Sequence, residues 1–309
     1  MGGGRMISIV IPVYNNGDTV EELSRLIDAV LASQPHETIF VNDGSSDDSS
    51  DRLRAIARGN AHVKVLFLSR NFGQHPAISA GFEAATGDYI VLMDADLQDR
   101  PQDIPMLIRK LSGDVDVVYT IKKDPHNGFP GRLSSLFYHY MFSKIVGARV
   151  PPNIGTLRAF TRKVLNALLL YRERNILYGP LMFYMGFQCE FVEVLHDERK
   201  SGRSSYSFKK RFLLAVNSFI SYTDIPHRVS IYTGMVLFLG SFIYGLAVLV
   251  EYLLHGRDLP AGLTLIVLVL TIMLGSLMIS LGIIGSYLFR VYQEVLDRPR
   301  YLITEKINC

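Results

Sequence analysis

Short apolar runs alternate with polar breaks through the first 121 residues of the chain. Residues 6–13, 38–41, 63–68, 89–93 and 115–121 are brief and rich in Val and Ile, the pattern of strands buried on both faces. The segments between them have helical spacing. Val20, Leu23, Leu26, Ile27 and Val30 recur on one face of residues 19–31, with Asp18 or Thr19 as N-cap and Glu21 and Glu22 in the first turn. Residues 49–58 and 76–86 read as two further helices. Strands alternating with helices predict an α/β fold built on a doubly wound, mostly parallel sheet. In such sheets ligands bind beyond the carboxyl ends of the strands.

The pattern changes after residue 205. Residues 206–228 mix Lys209, Lys210 and Arg211 with Phe212, Leu213, Leu214, Val216, Phe219 and Ile220, as an interfacial helix on an anionic leaflet does. Residues 229–250 carry no charge, and neither do residues 259–289. Each run is long enough to cross about 30 Å of hydrocarbon, the second with tilt to spare. Lys209, Lys210, Arg211 and Arg228 precede the pair, and Arg290, Arg298, Arg300 and Lys306 follow it, while the connection holds only Arg257. This asymmetry predicts both termini and the α/β domain on the cytoplasmic side of an inner membrane, with a multi-pass anchor. The organisation expected is therefore an α/β domain over 1–205, a juxtamembrane amphipathic helix over 206–228, a two-helix transmembrane region over 229–292 and a cytoplasmic tail over 293–309.

Composition narrows the function. The 309 residues carry a net charge of +3, too little to argue for nucleic acid, and the apolar share is 49%. Two cysteines, Cys189 and Cys309, build no disulfide framework, which fits a reducing compartment. The first residues lack the h-region and cleavage site of a signal peptide.

Polar clusters close three of the expected strands: Asn42-Asp43-Gly44, Arg70-Asn71 and Asp94-Ala95-Asp96. One such cluster is an ordinary turn; three at corresponding strand ends point to a nucleotide site. No Gly-x-Gly-x-x-Gly follows the first strand, so a dinucleotide fingerprint is missing. Asp94 and Asp96, at i and i+2 where a strand ends, can share one hard cation, and oxygen ligands with a diphosphate suit Mg²⁺ or Mn²⁺. Taken alone, the pair also fits a solvated acidic turn.

Four motifs in order carry a resemblance: Val10-Ile-Pro-Val-Tyr-Asn15, Val41-Asn-Asp-Gly-Ser45, Ser69-Arg-Asn-Phe-Gly73 and Met93-Asp-Ala-Asp-Leu-Gln-Asp99. Together they resemble the family 2 glycosyltransferases of GT-A fold, and among these the polyprenyl-phosphate glycosyltransferases. The resemblance implies that Pro12 and Tyr14 flank the base, and that Asp43 contacts the uracil or ribose of a UDP-linked donor. It implies that Asp94 and Asp96 bind the diphosphate through the metal with Gln98 beside them, and that Lys122 and Arg132 meet the phosphate of a polyprenyl (undecaprenyl) acceptor. Arg158 is a further candidate phosphate ligand, and Arg199 would clamp the donor diphosphate. Relatives form tetramers, so a homotetramer is expected.

Two positions depart from the family pattern. Thr156 stands where many relatives have Asp, and Ser205 where they have Lys. Losing the Asp suits a phosphate acceptor, whose second pKa near 6 leaves it ionised at neutral pH and able to attack without a base. The function expected is an inverting sugar transfer from a nucleotide sugar to a polyprenyl phosphate. A processive polysaccharide synthase is the first rival, but its Gln-x-x-Arg-Trp motif is missing because the chain has no Trp. A membrane protein that binds nucleotide sugars without turning them over is the second.

Overall fold

The structure, a computed structural model, describes residues 5–111, 113–122, 154–173, 176–194, a set of residues between 232 and 254, and 262–309. Eight strands form one sheet: β1 (Ile7–Val13), β2 (His36–Asn42), β3 (Val63–Leu68), β4 (Tyr89–Leu92), β5 (Val117–Lys122), β6 (Ile154–Thr161), β7 (Cys189–Val194) and β8 (Ile303–Ile307). Their order is β7-β5-β6-β4-β1-β2-β3-β8. β1 pairs in parallel with β2 and β4, β2 with β3, and β5 with β7.

The sheet is mixed where a mostly parallel one was expected. β6 inserts antiparallel between β4 and β5, and β8 lies antiparallel on β3. β5 nevertheless keeps the direction of β4, because two antiparallel steps cancel. The carboxyl ends of β1 to β5 therefore meet at one edge.

Helices cover both faces: α1 (Gly17–Val30), α2 (Ser49–Gly59), α3 (Gln74–Ala84), α4 (Ile104–Lys110), α5 (Arg162–Leu170) and α6 (Tyr178–Tyr184). Strand side chains alternate between two cores. Ile7, Ile9, Ile11, Phe40, Val65 and Val91 pack with Leu23, Ile27 and Leu53 of α1 and α2. Val10, Ile39, Val41, Leu66 and Ile90 pack on the other face with Ile78 and Phe82 of α3 and Val164 and Leu165 of α5. Burying one such side chain contributes about 1.5–3 kcal/mol, and the near-complete burial of these four parallel strands explains their unbroken apolar runs.

The helix starts shift from expectation. Asn16, rather than Asp18 or Thr19, precedes α1. The Thr19 hydroxyl instead donates to Ala95 O at 2.6 Å and lies 3.1 Å from Asn16 O. It thereby ties the helix to the 94–96 segment rather than capping it.

One buried carboxylate serves the fold. The side chain of Glu37 is 4% exposed, and its Oε2 is 2.6 Å from Lys64 Nζ. Its Oε1 accepts from Ser8 Oγ and from the Thr86 backbone and hydroxyl. The start of β4 is so tied to β1, β2 and β3.

Residues 299–309 belong to the same compact unit as residues 1–204, and residues 205–298 form a second unit. Tyr301 and Ile303 pack on one core and Ile307 on the other. Ser69 N donates to Leu302 O, and Asn308 Nδ2 donates to Ala57 O at 2.7 Å and Val63 O at 2.9 Å. Arg54 pairs with Glu305 at 2.8 Å. Five residues of edge strand carry too short a pattern to announce a partner more than two hundred positions away.

In the second unit, α7 (Gly262–Val295) is free of charged residues as far as Phe289 and carries Arg290 and Glu294 in its last turns. Among the described residues one helical stretch, Met273–Val295, is long and apolar enough to cross a membrane, and none of its most apolar window is buried. The residues described between 232 and 254 are helical. The expected helix at 206–228 lies outside the described residues.

Candidate active site

Four segments at the carboxyl edge of the sheet are laced together by hydrogen bonds. Asn15 N donates to Ser45 Oγ at 3.0 Å, Ser46 N to Asn15 Oδ1 at 2.9 Å, and Gly17 N to Asp47 Oδ2 at 3.1 Å. These join the loop after β1 to the loop after β2. Asp43 joins the loop after β2 to the loop after β3: its Oδ1 accepts from Phe72 N at 2.7 Å and its Oδ2 from Gly73 N at 2.9 Å. Gly44 makes this approach possible. Its φ is +65°, and a Cβ there would sit 2.5 Å from the Arg70 carbonyl carbon. Gln74 Nε2 then donates to Asp94 Oδ1 at 2.8 Å, which joins the start of α3 to the end of β4.

Beyond β4 the chain turns at Ala95 and Asp96, and burial alternates along it: Ala95, Leu97 and Asp99 are buried, while Asp94, Asp96 and Gln98 are half-buried. Leu97 adopts a positive φ of 61°, and Gln98 N turns back to Asp96 Oδ1 at 3.2 Å. The i, i+2 spacing thus brings both carboxylates and Gln98 to the accessible side.

Arg158 lies beside them. It stands opposite Leu92 in the β4–β6 register, two residues before Asp94. Its Nε donates to Thr156 O at 3.0 Å, and its guanidinium lies over the Tyr119 ring. Burial pushes its pKa down; Tyr119, Asp94 and Asp99 oppose that push, and a guanidinium stays charged throughout.

Of the other expected site residues, Pro12 is half-buried at the end of β1 and Tyr14 is exposed just beyond it. Asp43 is 3% exposed. Burial raises its carboxyl pKa, opposed by the amides of Phe72 and Gly73 and the charge of Arg70. With both oxygens on backbone amides, Asp43 shapes the loop after β3. Lys122 closes β5 at the same sheet edge as Asp94, with β6 between their strands. Arg132 and Arg199 lie outside the described residues, as does Ser205.

Two residues that the sequence reasoning passed over belong to this site: Gln74, which holds Asp94, and His75, electrostatically coupled to Arg158. Their signal was a polar pair directly after Gly73, where a helix starts behind a strand end.

The expected cofactor is Mg²⁺ or Mn²⁺. Among the described residues no three His, Cys, Asp or Glu side chains cluster closely enough to hold an ion alone. Asp94 and Asp96 supply two carboxylates on one side. That fits an ion which takes one or two carboxylates and completes its shell with substrate phosphates and water.

A family model described as Glycosyl transferase family 2 matches residues 8–169. An undecaprenyl-phosphate 4-deoxy-4-formamido-L-arabinose transferase of Klebsiella pneumoniae is 34% identical over 308 residues, covering 98% of this chain and 94% of that protein. A prophage-derived bactoprenol glucosyl transferase of Shigella flexneri is 31% identical, covering 96% of this chain and 97% of its own length. Among solved structures, a glucosyl-3-phosphoglycerate synthase of Mycobacterium tuberculosis, in complex with Mn²⁺ and UDP-glucose, aligns with a TM-score of 0.52 at 18% identity. That alignment covers 70% of this chain and 77% of that one, and it speaks to the fold.

Proposed function

The chain belongs to glycosyltransferase family 2 and is a glycosyltransferase, and from that premise we propose that it moves a sugar from a UDP-linked donor to a polyprenyl phosphate at a membrane surface. The observation that carries this is the alternation after β4. It leaves Asp94, Asp96 and Gln98 accessible beside the half-buried Arg158. This is a site for a diphosphate whose negative charge grows as it leaves.

The acceptor class rests on the relatives, whose names specify undecaprenyl phosphate and bactoprenol over nearly the full chain. It also rests on the chemistry of β6. Thr156 and its strand neighbours supply no carboxylate, and a phosphate nucleophile needs none.

In the proposed reaction an oxygen of the lipid phosphate attacks the anomeric carbon from the face opposite the nucleotide. The new C–O bond forms as the bond to the nucleoside diphosphate breaks, and the bonding pair leaves on the diphosphate, so the configuration inverts. Arg158 stabilises that charge by charge-assisted donation, and Arg199 is proposed to add a second cation. A divalent ion held by Asp94 and Asp96 supplies Lewis-acid stabilisation of the leaving group. Gln74 orients Asp94. Pro12 and Tyr14 are proposed to border the base, and Lys122 and Arg132 to attract the acceptor phosphate.

The pairing of β8 supports the membrane topology proposed here. A strand cannot pair with β3 across a bilayer, and the chain leaves the first unit at residue 204 and rejoins it at 299. This supports an even number of crossings, hence two spans at 229–250 and 259–289, with the catalytic unit and both termini on the cytoplasmic side. The exposed Leu270, Leu274, Leu277 and Leu281 of α7 suit lipid contact. We propose a homotetramer on the family resemblance.

The test is transfer by the purified full chain with undecaprenyl phosphate, Mg²⁺ or Mn²⁺, and a panel of UDP- and GDP-sugars, read by mass spectrometry of the lipid. Lipid-phosphate sugar from one donor is the expected result and names the sugar. Absence of product from every donor, with nucleotide binding intact, overturns the assignment of donor and acceptor.

A further inference from the structure

His75 occupies the first turn of α3, next to the Gln74 that grips Asp94. Its ring packs against Tyr178 with centroids 6.1 Å apart, and the Tyr178 hydroxyl is in turn 2.6 Å from Ser79 Oγ. Its Nδ1 is buried and has no hydrogen-bond partner among the described residues. Buried polar atoms in native proteins are almost all paired, and an exception calls for an occupant.

Strand order says which part of a donor lies there. Tyr14 and Asp43 follow β1 and β2, on one side of β4. His75 opens α3, a helix that packs on β1 and β2, but its ring lies against Tyr178 of α6 and feels the charge of Arg158 of β6, which turns this end of the helix toward β6. A nucleotide sugar with its diphosphate at Asp94 and its base toward β1 and β2 extends its sugar toward β6.

We propose that His75 is a substrate-contacting residue whose Nδ1 hydrogen-bonds an uncharged polar group, a hydroxyl or an amide, of the transferred sugar. This rests on the nucleotide-sugar assignment above and adds to it the residue that reads the sugar. Burial, and then the charge of Arg158, lower the imidazole pKa to about 4. The ring is therefore neutral at working pH and a poor ligand for phosphate, which the adjacent guanidinium takes instead. A neutral imidazole nitrogen donates or accepts according to tautomer, and a hydroxyl or amide satisfies either.

The test uses the full chain in detergent with Mn²⁺. The probes are the panel donor that yields lipid-linked product and the same nucleoside diphosphate without the sugar. In isothermal titration His75→Ala weakens the sugar donor about tenfold, one hydrogen bond's worth, and leaves the nucleoside diphosphate within about twofold. His75→Asn, whose amide lies near the Nδ1 position, recovers most of the loss, whereas His75→Gln, which reaches toward Nε2, does not. The donor KM rises in parallel, and the pH profile keeps its shape from about pH 6 to 9 because the group is neutral there.

Equal losses for both ligands would show a structural role and overturn the proposal. No loss for either would show that only water fills the site, and would also overturn it. Failure of the wild-type chain to yield product from any donor removes the underlying assignment and this inference with it. That result is distinct from a wild type that turns over and a His75→Ala variant that matches it.

Discussion

Asp43 follows β2 and Asp94 follows β4, at the same edge of the same sheet. Asp43 is buried, and both of its oxygens accept backbone amides of the next loop. Asp94 is half-buried, and its Oδ1 takes the side-chain amide of Gln74. What differs is the group that comes to meet each one. Gly44 lets the backbone after β3 come within reach of Asp43, so that carboxylate closes a turn. Asp94 meets a side chain that can swing away, and it shares its accessible side with Asp96 and Gln98. A carboxylate held by two backbone amides stiffens the scaffold, whereas one that meets a rotatable side-chain amide can exchange that partner for a cation.

The strongest challenge to this contrast is Asp96→Ala. Loss of one of two metal-holding carboxylates should lower transfer by about a thousandfold or more, with the thermal unfolding midpoint unchanged. Near-normal turnover in a product assay would remove Asp96 from the metal site.

Asp43→Ala should act the opposite way. It leaves two amides unpaired in a buried turn and should cost about 3 kcal/mol of stability in chemical denaturation. A loss below about 0.5 kcal/mol, typical of an exposed position, would show that the turn stands without Asp43 and restore a purely ligand-binding role.

Glu37 extends the scaffold side of the contrast. Burial alone would raise its pKa, but Lys64, Ser8 and Thr86 outweigh burial and hold it below the ordinary value of 4.5. A carboxyl whose pKa is depressed on folding contributes stability above its unfolded value and loses it as the pH falls through its folded value. Glu37→Gln should therefore cost about 1–2 kcal/mol at neutral pH, and the gap to wild type should shrink below pH 4.5. Denaturation at pH 7 and in that acid range checks the sign; a constant gap would contradict it.

The smallest effect belongs to Gln74→Ala. Loss of one partly exposed hydrogen bond, about 0.5–1 kcal/mol, should raise the metal or donor constant a few-fold and leave stability alone. Metal titration of transfer rates reads it directly, and an unfolding midpoint that dropped while the rates held would move Gln74 to the scaffold.

Much of this was legible along the chain. The four runs that became β1 to β4 are buried on both faces, so their composition alone announced them, and α1 to α3 followed from spacing. The Asp94–Asp96 pair was legible because alternation after a strand sets side by local geometry. Asp43 was legible as a candidate site residue, but its hold on the Phe72 and Gly73 amides was not, since nothing local brings them to it. His75 was passed over because its environment comes from Tyr178 and Arg158, which lie roughly 100 and 80 residues further along the chain and meet it only through the fold. β6 escaped notice as a strand because its surrounding motif was read for chemistry, and its insertion between β4 and β5 has no local signature.

The residue pattern by itself determined the α/β class, the first four strands and three helices, the carboxylate pair and the charge-free runs. Each depends on neighbours within a few residues, through strand alternation, helical spacing or the length an apolar run can reach. Only the tertiary structure decided that the sheet is mixed, that residues 303–307 close its far edge, that Asp43 is held by backbone, and that His75 packs on Tyr178 with an Nδ1 that is buried and unpartnered among the described residues. Those features depend on which distant segments pair, and pairing is settled by the joint burial of both faces of the sheet.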